Sequence, residues 1–171
     1  IFESLTWLGL DYDNADNVPY QSKRTEIYKK YLQKLLDENK AYVSKEEIRN
    51  ERDRPEVIRF RNSNKKVTFH DLVRGEITID TSDLGDFVIA KGIDEPMFHL
   101  TVVIDDYEMK ITHVIRGEDH ISNTPRQILI QEALDIPAPF YAHLPLILAP
   151  DRTKLSKRKG SVACEEFLAQ G

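Results

Sequence analysis

The sequence holds one cysteine, Cys164, in 171 residues. That excludes a disulfide framework and a zinc site built on several cysteines, and it fits a reducing compartment. No apolar run approaches the roughly 18–20 residues that cross a bilayer, so no membrane partner is expected. Basic excess is lacking as well. With 24 Lys+Arg against 29 Asp+Glu the net charge is −5, which excludes a chain that coats nucleic acid by overall charge but leaves room for a local RNA-facing patch. Low-complexity stretches and internal repeats are absent. What is present is 40% hydrophobic and 31% charged residues, a globular composition at a length that suits one domain with a modest insertion. The opening, Ile1-Phe2-Glu3-Ser4-Leu5, has no Met and no basic run and does not read as a signal peptide. Both ends read as interrupted elements, and the sequence is expected to be an internal piece of a longer protein.

Charge is unevenly placed. Residues 1–21 carry four acids and no base, residues 22–66 fourteen bases against eight acids, residues 67–142 five bases against fourteen acids, and residues 143–171 five against three. A basic block beside an acidic one suggests two structural units with different partners, or a solvated helix face beside ordinary surface.

Periodicity sorts the chain into elements. Residues 1–8 read as helix, stopped by Gly9. Thr25 to Asn39 places Ile27, Tyr31, Leu32, Leu35 and Leu36 at helical spacing. Ala41-Tyr42-Val43 reads as a short strand, and Ser44 with Glu47 as the capping box of a second helix reaching Asn50. Val57 to Arg61 alternates as a strand, with Val67-Thr68-Phe69 pairing back onto it across the turn at Asn62 to Lys65. Ile77-Thr78-Ile79 and Phe87 to Ala90 add two more strands, so residues 21–90 form an α+β block. Met97 to Ile104 fits helix or strand. Ile111 to Ile115 reads as a strand buried on both faces of a parallel sheet. Thr124-Pro125 opens a helix to Leu134, and Tyr141 to Leu148 is strand-like. That strand–helix–strand order predicts a parallel sheet, with ligands bound beyond the carboxyl ends of its strands. Arg116 to His120 and the loop after Leu148 would then share a rim.

The residues at that rim admit two readings each. Asp151 to Gly160 holds five cations and two hydroxyls, which suits a pyrophosphate leaving group or a basic surface loop. Arg116, just past a strand, can clamp a carboxylate bidentately or pair structurally with Glu118, Asp119 or Asp106. Asp119-His120 can hold a ribose or adenine, or cap the helix entry. Asp105 and Asp106, read as strand neighbours, face opposite ways and do not share a site. His113 and Trp7 read as core and Cys164 as a buried filler. His70, His99 and His143 are scattered, with no metal-ligand spacing.

The run Ile111-Thr112-His113-Val114-Ile115-Arg116-Gly117-Glu118-Asp119-His120-Ile121-Ser122-Asn123-Thr124-Pro125-Arg126-Gln127, with Tyr141-Ala142-His143-Leu144-Pro145 and Lys154-Leu155-Ser156-Lys157-Arg158, closely resembles the bacterial glutamyl-tRNA synthetases. Leu5 to Asp13 and Tyr20 to Arg24 also resemble that family. The resemblance implies a class I synthetase fold: an α/β, partial Rossmann-type parallel sheet over 1–20 and 91–145, an inserted connective domain at 21–90 that grips the tRNA acceptor end, and a signature loop leading toward the stem-contact region over 146–171. It implies ATP-dependent attachment of L-glutamate to tRNA(Glu) through glutamyl-adenylate, with Mg2+ and ATP as cofactors, by a cytoplasmic monomer. Lys154, Ser156 and Lys157 would stabilise the ATP phosphates in catalysis. Asp119, His120, Leu146, Ile147, Leu155 and Arg158 would complete the ATP site, and Arg116 and Phe98 would meet glutamate. Many members have a tyrosine at the position of Phe98, so one hydrogen bond is lost.

Other family features are absent from the sequence. The His-x-Gly-His-type first signature, the early Glu-Asp strand and the anticodon-binding region are missing, so the chain alone is expected not to charge tRNA. No cysteines follow Ala41-Tyr42-Val43-Ser44, so no zinc is expected. Competing readings are a paralogue that glutamylates a modified tRNA base, disfavoured by the complete Lys-Leu-Ser-Lys-Arg, and a non-catalytic RNA-binding module using the basic block.

Overall fold

The amphipathic run after Arg24 folds as expected. Helix α2 (Thr25–Asp37) buries Tyr28, Leu32 and Leu35 on one face, with Lys and Glu on the other. It stops where Asn39 turns left-handed (φ 57°), and the amides of Asn39 and Lys40 return to Leu36 O and Leu35 O at 3.0 and 2.8 Å. That closure satisfies helix-end carbonyls and throws the chain directly into a strand. The computed structural model describes residues 2–10, 13, 18–48, 54–148 and 152–153. They fall into two compact units, Tyr20–Leu144 and Ile1–Pro19 with Pro145–Gly171.

In the larger unit, β1 (Ala41–Lys45), β2 (Glu56–Phe60) and β5 (Phe87–Ala90) form a three-stranded antiparallel sheet in the order β1-β2-β5. The second sheet runs β4-β3-β7-β6, built from β3 (Lys66–Asp71), β4 (Gly75–Asp80), β6 (His113–Gly117) and β7 (Phe140–Leu144). β3 and β4 are an antiparallel hairpin, whereas β7 is parallel to both β3 and β6. Between β6 and β7 the chain crosses over through α4 (Thr124–Leu134), which has Pro125 in its first turn and ends at the left-handed Asp135. Helix α3 (Phe98–Glu108) precedes β6. Leu32, Leu35, Ile89, Leu100, Ile104 and Ile130 are fully buried in one core cluster. Truncating such a leucine costs about 2–5 kcal/mol.

The smaller unit contains α1 (Phe2–Trp7). Gly9 stops it at φ 68°, and the amides of Gly9 and Leu10 close onto Thr6 O and Leu5 O.

Several expectations are corrected. Ser44 caps no helix. It lies in β1, opposite Val57, and the strand continues to Lys45 opposite Glu56, because cross-strand pairing with β2 outweighs a local capping signal. Val67 to Phe69 pairs with β4 and not with residues 57–61, whose other edge is taken by β5. Asp105 and Asp106 lie on helix α3, not on a strand. β6 is parallel as expected, but it is the last strand in its sheet. Ile115 is therefore 64% exposed, and His113 is exposed too. Trp7, expected in the core, is 45% exposed.

Candidate functional site

The carboxyl ends of β6, β7 and β3 meet at one rim. Arg116 is the penultimate residue of β6 and stands opposite His143 of β7. Asp71 ends β3, paired with Tyr141 two residues before His143. Thr124 and Gln127 lie on the first turn of α4 at i and i+3, so both look the same way. Three strand ends and one helix start thus converge on a polar cluster whose Asp71, His143 and Thr124 are completely buried.

Arg116 is held on two nitrogens. Its Nε donates to His143 Nε2 at 3.1 Å, and its Nη2 donates to Thr124 Oγ1 at 2.7 Å and Gln127 Oε1 at 2.8 Å. The guanidinium also lies 5.6 Å from the Tyr141 ring centroid. All three acceptors are neutral groups. The structural ion pair weighed for Arg116 does not form: Glu118 pairs with Arg74, and no described carboxylate is hydrogen-bonded to Arg116. Burial pulls its pKa down, with the nearby Tyr141 and Asp106 opposing that shift. Asp106 itself is pushed up to about 6. Burial is the main cause, opposed by Arg116 and reinforced by Asp105. Asp106 also lines a cavity of about 350 Å³ with Lys110, Gln131 and Phe140.

Behind Arg116, His143 Nδ1 lies 2.6 Å from Asp71 Oδ2. Asp71 also accepts the amides of His143, Val73 and Arg74 at 3.0–3.2 Å. Burial alone would raise this carboxyl. The His143 contact and those backbone amides outweigh burial and hold it at about 2.

The other expected residues fall as follows. Phe98 opens α3 and is 49% exposed. Its ring lies 5.5 Å from His99 and 6.5 Å from His120, so Phe98 and His120 are brought together. Asp119 and His120 form part of a 3-10 turn, Glu118–Asn123, that leads into α4, and His120 Nδ1 meets Asn123 Nδ2 at 3.0 Å. Leu146 and Ile147 belong to the smaller unit. Lys154, Leu155, Ser156, Lys157 and Arg158, like Cys164, lie outside the described residues. Sequence reasoning missed Asp71, Gln127 and His143. The strand alternation Tyr141-Ala142-His143 puts His143 and Tyr141 on one face, which was the available signal. Nothing local points to Asp71, whose partner lies 72 residues away.

The chain is 47% identical over 192 aligned residues to "Glutamate--tRNA ligase 1" of Petrotoga mobilis, spanning all of this chain and 41% of that protein. It is 44% identical over 210 to "Glutamate--tRNA ligase" of Sulfurihydrogenibium sp., spanning 44% of it. Among solved structures, the glutamate tRNA ligase of Elizabethkingia meningosepticum in complex with its amino acid superposes with TM-score 0.79 at 32% identity, covering 92% of this chain and 41% of that one. The glutamate-tRNA synthetase of Elizabethkingia anophelis gives 0.78 at 31% identity, with 91% and 41% covered. The chain therefore spans about two fifths of the length of the relatives it matches. The family described as "tRNA synthetases class I (E and Q), catalytic domain" matches residues 1–56 and 44–170. The α/β architecture with its parallel strands belongs to that family, and this chain is a member of it.

Proposed function

We propose that the chain is the catalytic-region segment of a glutamate–tRNA ligase, which joins L-glutamate to tRNA(Glu) at the expense of ATP through glutamyl-adenylate. One observation carries the reading: a half-buried guanidinium, Arg116, at a parallel-strand rim, held among the described residues by three neutral acceptors and by no carboxylate. A charge placed there with Nη1 unengaged by the described residues is available to the side-chain carboxylate of glutamate. Phe98, with Arg116, meets glutamate. Asp119, His120, Leu146 and Ile147 hold ATP, and Lys154, Ser156 and Lys157, with Leu155 and Arg158, stabilise its phosphates. Mg-ATP supplies the activated phosphoryl group that the amino-acid carboxylate attacks, and pyrophosphate leaves. The basic block within residues 21–90 grips the tRNA acceptor end. The protein acts in the cytoplasm as a monomer.

No protein nucleophile is required; orientation and fixed charge carry catalysis. The test is glutamate-dependent ATP–pyrophosphate exchange by a complete protein carrying this segment, beside the segment alone. Exchange by the complete protein that requires glutamate, and its near-absence in the isolated segment, supports the reading. Exchange driven by another amino acid overturns it.

A further inference from the structure

We infer that Asp71 is a positioning residue for glutamate recognition: acting through His143, it fixes the direction in which Arg116 presents its guanidinium. The inference rests on the reading of Arg116 as the ligand of the glutamate side chain.

The hydrogen positions in this cluster follow from its two ends. An arginine donates on every nitrogen and accepts on none. The atom facing Arg116 Nε at 3.1 Å, His143 Nε2, must therefore be an unprotonated acceptor. At the other end, Asp71 accepts three backbone amides, those of Val73, Arg74 and His143, and its pKa is held down at about 2, so it is a carboxylate, which only accepts. The atom facing it at 2.6 Å, His143 Nδ1, must therefore carry the proton. His143 is thus a neutral imidazole with its hydrogen on Nδ1. The other tautomer sets two donors against each other at Nε2 and two acceptors at Nδ1. An imidazolium would place a second cation beside the guanidinium. The same reasoning orients Gln127: its Oε1 must face Arg116, which leaves Nε2 as a buried donor with no partner among the described residues. Asp71, in turn, is fixed by backbone. Its Oδ1 accepts the amides of Val73 and Arg74 in the turn that follows β3. Backbone geometry at the β3–β4 turn is thereby transmitted, through one carboxylate and one ring, to the plane of Arg116. Partners that orient a metal ligand from one step away typically change affinity 10- to 100-fold when lost, and an effect of that order is expected here.

Asp71→Asn is the discriminating variant. Asn Oδ1 can keep the Val73 and Arg74 amides, while Nδ2 brings a donor to His143 Nδ1. The ring must then move its proton to Nε2, against Arg116. In the complete protein, pyrophosphate exchange by Asp71→Asn should show KM for glutamate raised about 10- to 100-fold and KM for ATP within about twofold of wild type. Adding His143→Gln, whose Oε1 can accept from Arg116 with no tautomer to fix, should recover at least about a third of the lost glutamate affinity. Nitrogen NMR of labelled histidine in the wild-type protein should show His143 with a protonated Nδ1 and a bare Nε2.

A protonated Nε2 in the wild type overturns the inference even if Asp71→Asn does not fold. So does an Asp71→Asn protein that folds and keeps its glutamate KM, or one that loses both KM values equally without rescue. Arg116→Ala separates the two levels. If it leaves the glutamate KM unchanged, the reading of Arg116 fails. If it raises that KM while Asp71→Asn does not, only the positioning role fails.

Discussion

Arg24 and Arg116 are both arginines drawn into the larger unit, and they keep different company. Arg24 Nε lies 2.7 Å from Asp105 Oδ1, and Tyr28 and Gln21 donate to the same carboxylate. Its pKa is raised, chiefly by the hydrogen bond to Asp105. Arg116 has three neutral acceptors and a lowered pKa caused by burial. A neutralised guanidinium ties α2 to α3. On the proposed function, a guanidinium held among the described residues by neutral acceptors keeps its charge for the glutamate carboxylate. Pairing would then distinguish an arginine that serves the fold from one that serves a ligand, and burial alone would not.

The sharpest way to break that comparison is Arg116→Lys in the complete protein. Charge is kept and the planar fork lost, so kcat/KM for glutamate should fall about 100-fold, measured by exchange. Arg24→Ala should do the reverse. It removes the cation from Asp105, which keeps Tyr28 and Gln21 as donors, costs about 2 kcal/mol in denaturant unfolding, and changes the glutamate KM by less than about twofold. A large KM effect at Arg24 would erase the distinction.

Two carboxylates sharpen it by pH. Asp71 has a folded pKa of about 2, below its ordinary 3.8. The stability it contributes, about 2 kcal/mol, is complete above pH 4 and lost as pH falls from there toward 2. Asp71→Asn should flatten that limb of the stability curve. Asp106 has the opposite sign: its pKa is raised to about 6, so the folded state holds the proton more tightly and stability falls as pH rises from about 4 to 6. Asp106→Asn should remove that slope and melt higher at neutral pH, by on the order of 1 kcal/mol after solvent screening. The smallest effect belongs to an exposed pair, Lys65 with Glu132 at 2.5 Å. Lys65→Ala should shift stability by less than about 0.5 kcal/mol.

Much of the fold was legible because its signals are local. The spacing of Leu32, Leu35 and Leu36, the stop at Gly9, and Pro125 at the head of α4 each act within a few residues. The misreadings concern partners. The capping pattern at Ser44 is real as a sequence signal, but strand pairing at 56–60 overrides it. Val67 to Phe69 has the right alternation, and nothing in that alternation says which edge it joins. The site followed the same rule. Arg116 stood out by its place after a strand and by the resemblance of the run around it. Asp71 and His143 look ordinary in sequence, and their meaning depends on a contact between β3 and β7 that only the assembled sheet supplies.

That contact is slender. The β3–β4 hairpin joins its parallel neighbour at a single register pair, Asp71 with Tyr141, backed by Leu72 N to Tyr141 O at 2.8 Å and the Asp71 carboxylate on His143. The seam that fastens the hairpin is thus also the seam that aims the guanidinium. Breathing of one ribbon and wandering of one side chain become the same fluctuation, so slow amide exchange at Leu72 and His143 would report how long the site stays aligned.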